Sequence, residues 1–241
     1  MKLFDLESPI MRFLTRVADI MILDILVIIC CIPIITIGPA VTALHYMCLK
    51  MIRGEDCYII RGFFKSFKEN FKQATIIWLI LLAAALIFAG DIYILTETGI
   101  KFHTVFRVII LIAGAVVAFT ATFVFPLLAK FDNTTGRTLK NAFTISVLQL
   151  PKTIIMIILN VLPFALLIYF PQTTPYVLFF GFSLPAYIGA LMYNKFFQKM
   201  EDRVLEEMGP QETEEEGEDE RIFKDELDET LIADKMNREA Q

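Results

Sequence analysis

The stretch VFRVIILIAGAVVAFTATFVFPLLA, residues 105–129, decides the fold class. A helix rises about 1.5 Å per residue and a bilayer's hydrocarbon core is about 30 Å thick, so about 20 apolar residues suffice to cross it. This stretch is long enough, and four more surround it, at 17–37, 74–95, 153–170 and 175–194. Across all 241 residues, 56% are hydrophobic, against roughly 45–50% in a soluble domain. The excess is gathered into these blocks. That pattern excludes a water-soluble enzyme and a disordered or fibrous chain. It predicts an all-α, polytopic helical membrane protein.

Charge divides the chain unevenly. Residues 1–200 carry 17 basic and 10 acidic side chains, a net of +7, whereas residues 201–241 carry 5 and 17, a net of −12. The overall −5 therefore belongs to the tail. The tail is low-complexity and acidic from Gly209 to Glu220, which predicts disorder. Ile222, Phe223, Leu227, Leu231 and Ile232 beyond it form an apolar stripe in a short helix near 221–234. The four cysteines show no Cys-x-x-Cys or His/Cys ligand spacing, so no metal and no cofactor is expected.

Lys and Arg set the expected topology. Lys2, Arg12 and Arg16 precede the first block, and Lys50, Arg53, Arg61, Lys65, Lys68 and Lys72 follow it. A single crossing between them would put the two clusters on opposite sides, which the positive-inside rule disfavours. Pro33 and Gly38-Pro39 supply a turn followed by a helix start, and Ala40–Met51 is mostly apolar. With that segment returning, 16 of the 18 basic residues up to Arg203 fall on the cytoplasmic side, and Lys101 and Arg107 stay outside. The returning segment is short, so it is either a tilted span or a re-entrant helix. The expectation is six transmembrane helices with both termini cytoplasmic. Residues 1–16 form an interfacial amphipathic helix, started by Ser8-Pro9. Basic amphipathic helices lie near 54–73 and 132–152, the second carrying Arg137 and Lys140. Each leads into an Ile-rich span, a faint internal repeat.

Ionisable and amide groups inside spans are the candidates for chemistry, because each costs about 2.5–3.5 kcal/mol on insertion scales. Asp24 lies seven residues past Val17, and His45 five residues before Lys50, so an antiparallel hairpin brings them to matching depth. Asn160, eight residues past Lys152, could join them. Such a cluster could hold a proton or a polar solute, or could simply be a structural hydrogen-bond network. The chain has no His-Glu-x-x-His, no Gly-x-Ser-x-Gly and no Walker loop. No enzymatic activity is expected, and nothing beyond surface charge points to nucleic acid. The basic helices suit anionic headgroups or a docked partner.

Two strings carry a family resemblance. Pro33-Ile34-Ile35-Thr36-Ile37-Gly38-Pro39-Ala40-Val41-Thr42-Ala43-Leu44, and Arg61-Gly62-Phe63-Phe64-Lys65-Ser66-Phe67-Lys68-Glu69-Asn70-Phe71-Lys72-Gln73-Ala74, resemble the YesL-like family of bacterial membrane proteins. The likeness covers about residues 1–205 and leaves the acidic tail outside. It implies a bacterial plasma-membrane location and an unassigned molecular function. Such proteins are often encoded beside carbohydrate ABC importers, so it implies an accessory or assembly role with importer subunits as partners. A self-contained secondary transporter or channel built on the polar cluster stays open beside it.

Overall fold

The structure, a computed structural model, describes residues 9–55, 58–97, 104–131 and 133–208. The expected tail helix near 221–234 lies outside these. The chain divides into two units, Met1–Tyr193 and Asn194–Gln241. The second is described only over 194–208, where it is helical.

Every regular element among the described residues is a helix. In chain order these are α1 Pro9–Cys30, α2 Ile37–Arg53, α3 Ile59–Glu69, α4 Phe71–Glu97, α5 Thr104–Leu128, α6 Thr135–Leu148, α7 Leu150–Tyr169, α8 Thr174–Phe180 and α9 Ser183–Met208. Short 3-10 turns at Ile34–Thr36 and Pro171–Thr173 precede α2 and α8. By length and apolarity, Ile34–Arg53, Phe71–Ile94, Arg107–Leu128 and Leu150–Tyr169 can each cross a membrane. The pair Pro171–Phe180 and Ser183–Arg203, bent by 53°, makes a fifth if it counts as one span. Helix α1 carries Arg12, Arg16, Asp19 and Asp24, and these charges keep it outside that set. It runs unbroken from Pro9 through the first apolar block and ends at Cys30, short of the block's end.

The turn after α1 is held by Thr36, whose hydroxyl donates to the carbonyls of Cys30 (2.6 Å) and Pro33 (2.7 Å). Helix α2 then starts as its sequence dictates. Pro39 sits in the first turn, where a missing N–H costs nothing. Gly38 lets the backbones touch, since a Cβ there would lie 2.4 Å from the Ala74 carbonyl oxygen and 2.7 Å from Trp78 Cβ. The Trp78 indole N–H also donates to the Ile34 carbonyl at 2.8 Å. The α1–α2 turn therefore meets the first two turns of α4, which is 27 residues or about 40 Å long. It does not reach the Glu97 end.

Helix α3 folds back on α2. Gly62 faces Met47, and Phe63 and Ser66 are buried, while Arg61, Lys65 and Lys68 face outward. A single residue, Asn70, separates α3 from α4, and a single residue, Gln149, separates α6 from α7. The faint repeat thus takes the same form twice, a short amphipathic helix hinged to a long apolar one. Gln73 ties the start of α4 to the loop before α6, its amide donating to the Asn133 carbonyl at 2.5 Å.

The core gathers where α4 begins and α5 ends. Leu23, Val27, Met47, Phe63, Ile77, Phe123 and Tyr193 are fully buried there. Leu86, Ile87 and Ile92 on α4, and Leu111 and Ile112 on α5, are exposed. Those halves leave apolar side chains uncovered, as helices in hydrocarbon can, because their backbone groups are satisfied internally.

Candidate functional site

Asp24 is completely buried on α1. Its Oδ1 accepts two backbone hydrogen bonds, from Phe182 N–H at 2.8 Å and Ser183 N–H at 2.5 Å. These amides belong to the break between α8 and α9. In an unbroken helix they would bond the carbonyls of Leu178 and Phe179, four residues back. At the bend they are spare donors, and α1 supplies the acceptor. Gly181 permits the bend, since a Cβ there would lie 2.4 Å from the Val177 carbonyl oxygen. Pro185, which lacks an N–H, falls in the first turn of α9.

The electrostatics agree with the geometry. A helix N-terminus carries roughly half a positive charge, and a carboxylate there is worth about 0.3–1 kcal/mol, rising to about 2 in partly buried geometries. The second carboxylate oxygen, Oδ2, is buried without a hydrogen bond, and so is the Ser183 hydroxyl. Asp24 is thus the fastening between the first helix and the bend of the last pair, with its own Oδ2 and the Ser183 hydroxyl left unmatched.

His45 is buried on α2, and its Nδ1 lies 3.0 Å from the Tyr193 hydroxyl, within hydrogen-bond reach. Tyr193 in turn packs edge-on against Phe123, with ring centroids 6.3 Å apart. This ties α2, α5 and α9 together inside the first unit.

Asn160 lies elsewhere. Thr153, Met156, Asn160 and Pro163 fall on one helical stripe, spaced by three, four and three residues. Thr153, Met156 and Pro163 are buried, but Asn160 is exposed. Contacts to the last helices flank it, with Gly189 against Met156 and the Phe182 ring 5.8 Å from Phe164. The packing face of α7 is open at that level.

Asp24 and His45 thus take different partners, the amides at the α8–α9 bend and the Tyr193 hydroxyl, while Asn160 is exposed on α7. The three partners absent from the sequence reading are the Phe182 amide, Ser183 and Tyr193. Ser183-Leu184-Pro185 is a helix-start signal inside an apolar block, and it could have revealed the break. Nothing in the sequence points His45 to a tyrosine 148 residues away.

Of the motif residues, Pro33 lies in the α1–α2 turn, and Gly38 and Pro39 are buried against α4. Of the basic set, Arg61, Lys65, Lys68, Lys72, Arg137 and Lys140 are exposed and Arg53 is half-buried. Lys65 pairs with Glu69 at 4.0 Å along α3. Among the described residues no three His, Cys, Asp or Glu side chains are grouped to hold a metal ion.

Comparison with known proteins places these features. The family model "Protein of unknown function, DUF624" matches residues 20–92, a span holding Asp24, the Gly38-Pro39 turn, His45 and α3. An uncharacterised protein of Bacillus subtilis (strain 168), YteU, is 30% identical over 152 residues, covering 63% of this chain and 67% of the relative. No solved structure matches.

Proposed function

The chain belongs to the DUF624 family of membrane proteins of unknown function, and from that premise we propose an accessory or assembly component of a larger membrane complex, with the permease subunits of a carbohydrate ABC importer as its partners. In this reading the protein sits in a bacterial plasma membrane with six crossings, counting α1 and the bent α8–α9 pair. Both termini and the basic helices α3 and α6 are cytoplasmic. We assign no catalysis to it.

Asn160 carries the reading. It lies ten residues past Leu150, about 15 Å along α7 by the helical rise, and it is exposed on a stripe otherwise packed inward. An amide at that depth is costly toward lipid and favours a hydrogen bond across helices, worth about 0.6–2 kcal/mol. A helix from a partner would complete the stripe. The wider association with sugar uptake rests on family context.

The test is co-purification from gently solubilised native membranes. Permease subunits recovered at fixed stoichiometry with the wild type, and lost with Asn160→Leu, support the proposal. Recovery of this protein alone, after crosslinking as well, sinks it.

A second reading, a self-contained secondary transporter, draws on the Asp24 carboxylate at the helix break. Broken membrane helices occur where transporters bind substrates and coupling ions. Proton flux into proteoliposomes of the purified protein, abolished by Asp24→Asn, would favour it over the accessory role.

A further inference from the structure

Outside the sites above, a groove of about 860 Å³ is lined by Ile22 on α1 and by Tyr58, Ile59, Ile60, Arg61 and Phe64 at and along α3. Its walls are apolar and outward-facing, with Tyr58 82% and Ile60 56% exposed. They are not surplus core, because α3 already spends Phe63, Ser66 and Gly62 on packing inward. The one charged side chain among the lining residues is Arg61. Lys50 is paired with Glu55 at 3.5 Å and Lys65 with Glu69 at 4.0 Å, whereas Arg61 makes no ion pair among the described residues. A guanidinium at the rim of an apolar groove asks for a ligand with an anionic head and a hydrocarbon body.

We propose that this groove is a binding site for a single anionic phospholipid, its phosphate held by Arg61 and one acyl chain laid along Ile22, Ile59, Ile60 and Phe64. Three features select that ligand. The guanidinium fork matches two phosphate oxygens, which a point charge would not do as specifically. Tyr58 stands at the groove with the amphipathic character of rings at the headgroup level. Lys68 is exposed on the same helix, and it adds attraction for a net negative headgroup while repelling the ammonium of a zwitterionic one. The site differs from bulk lipid attraction to α3 because it depends on Arg61 and the groove wall, not on the count of basic residues.

The experiment uses the full chain in nanodiscs of equal phosphatidylglycerol and phosphatidylcholine, released into native mass spectrometry to count retained lipid. The wild type is expected to keep one phosphatidylglycerol in preference to phosphatidylcholine. Arg61→Gln and Ile60→Ser are expected to lose it, Arg61→Lys to keep it in part, and Lys140→Gln, on α6 outside the groove, to keep it. Equal retention by the wild type and Arg61→Gln, or equal loss in Lys140→Gln, would overturn the site. A second measurement needs no variant: photoactivatable phosphatidylglycerol should label the wild-type peptide containing residues 58–64. Labelling spread evenly over α3 and α6, or a crosslink from Ile60 to a protein helix in place of lipid, would also overturn it.

Discussion

Replacing Asp24 by alanine should loosen the joint between α1 and the α8–α9 bend more than any other single truncation of a polar side chain. The carboxylate accepts two buried backbone donors, Phe182 N–H and Ser183 N–H. Alanine leaves both without a partner, and an unsatisfied buried donor costs about 1–3 kcal/mol. The substitution is thus expected to cost about 2–6 kcal/mol, one such penalty for each donor. For a chain of this size each kcal/mol moves the unfolding midpoint by about 2–4 °C, so the midpoint should fall by roughly 4–24 °C. Asp24→Asn keeps an oxygen where Oδ1 stands and should cost less than about 1.5 kcal/mol, the scale of one ordinary hydrogen bond. Heating the detergent-solubilised protein and following the monodisperse peak by size-exclusion chromatography measures both. Equal midpoints for Asp24→Ala and Asp24→Asn would refute the reasoning, because they differ in whether the amides keep an acceptor.

Three further outcomes follow from the same geometry. Gly38→Ala puts a methyl 2.4 Å from the Ala74 carbonyl oxygen and should cost about 1–3 kcal/mol in thermal stability, whereas Gly90→Ala, with nothing within 4 Å, should be neutral or gain up to about 1 kcal/mol. Tyr193→Phe removes the partner of a buried imidazole and should cost about 1–3 kcal/mol, and adding His45→Phe to it should cost clearly less than the sum of the two single changes. Single cysteines at Lys68 and Lys140 should react with an impermeant maleimide only from the cytoplasmic face, and one at Lys101 only from the other. Any other pattern contradicts the six-crossing arrangement.

The helices were legible because their signal is local. Runs such as 105–129 are apolar on every side, and no packing detail changes what a bilayer asks of them. The Gly38-Pro39 turn was legible for the same reason, since both residues constrain the backbone wherever they stand. The site was legible only by residue. Asp24 and His45 stood out because buried polar groups are costly, but their partners depend on where helices cross. Counting depth along a hairpin assumed that 175–194 is one helix. Arg16 near the start of α1 does donate to the Met51 carbonyl near the end of α2, as an antiparallel hairpin requires, but the last block breaks at Gly181, so the spare amides appear where a continuous helix has none. Asn160 shows a further limit: depth counted from Lys152 puts it level with the polar pair, and its exposure follows from what fails to cover it.

The most direct test of the assembly role is a photocrosslinking amino acid in place of Asn160, activated in native membranes. The account predicts an adduct between α7 and a helix of a permease subunit, absent when the probe stands at Ile168 on the exposed end of the same helix. Lipid adducts alone at position 160, in cells that express the importer, would contradict it.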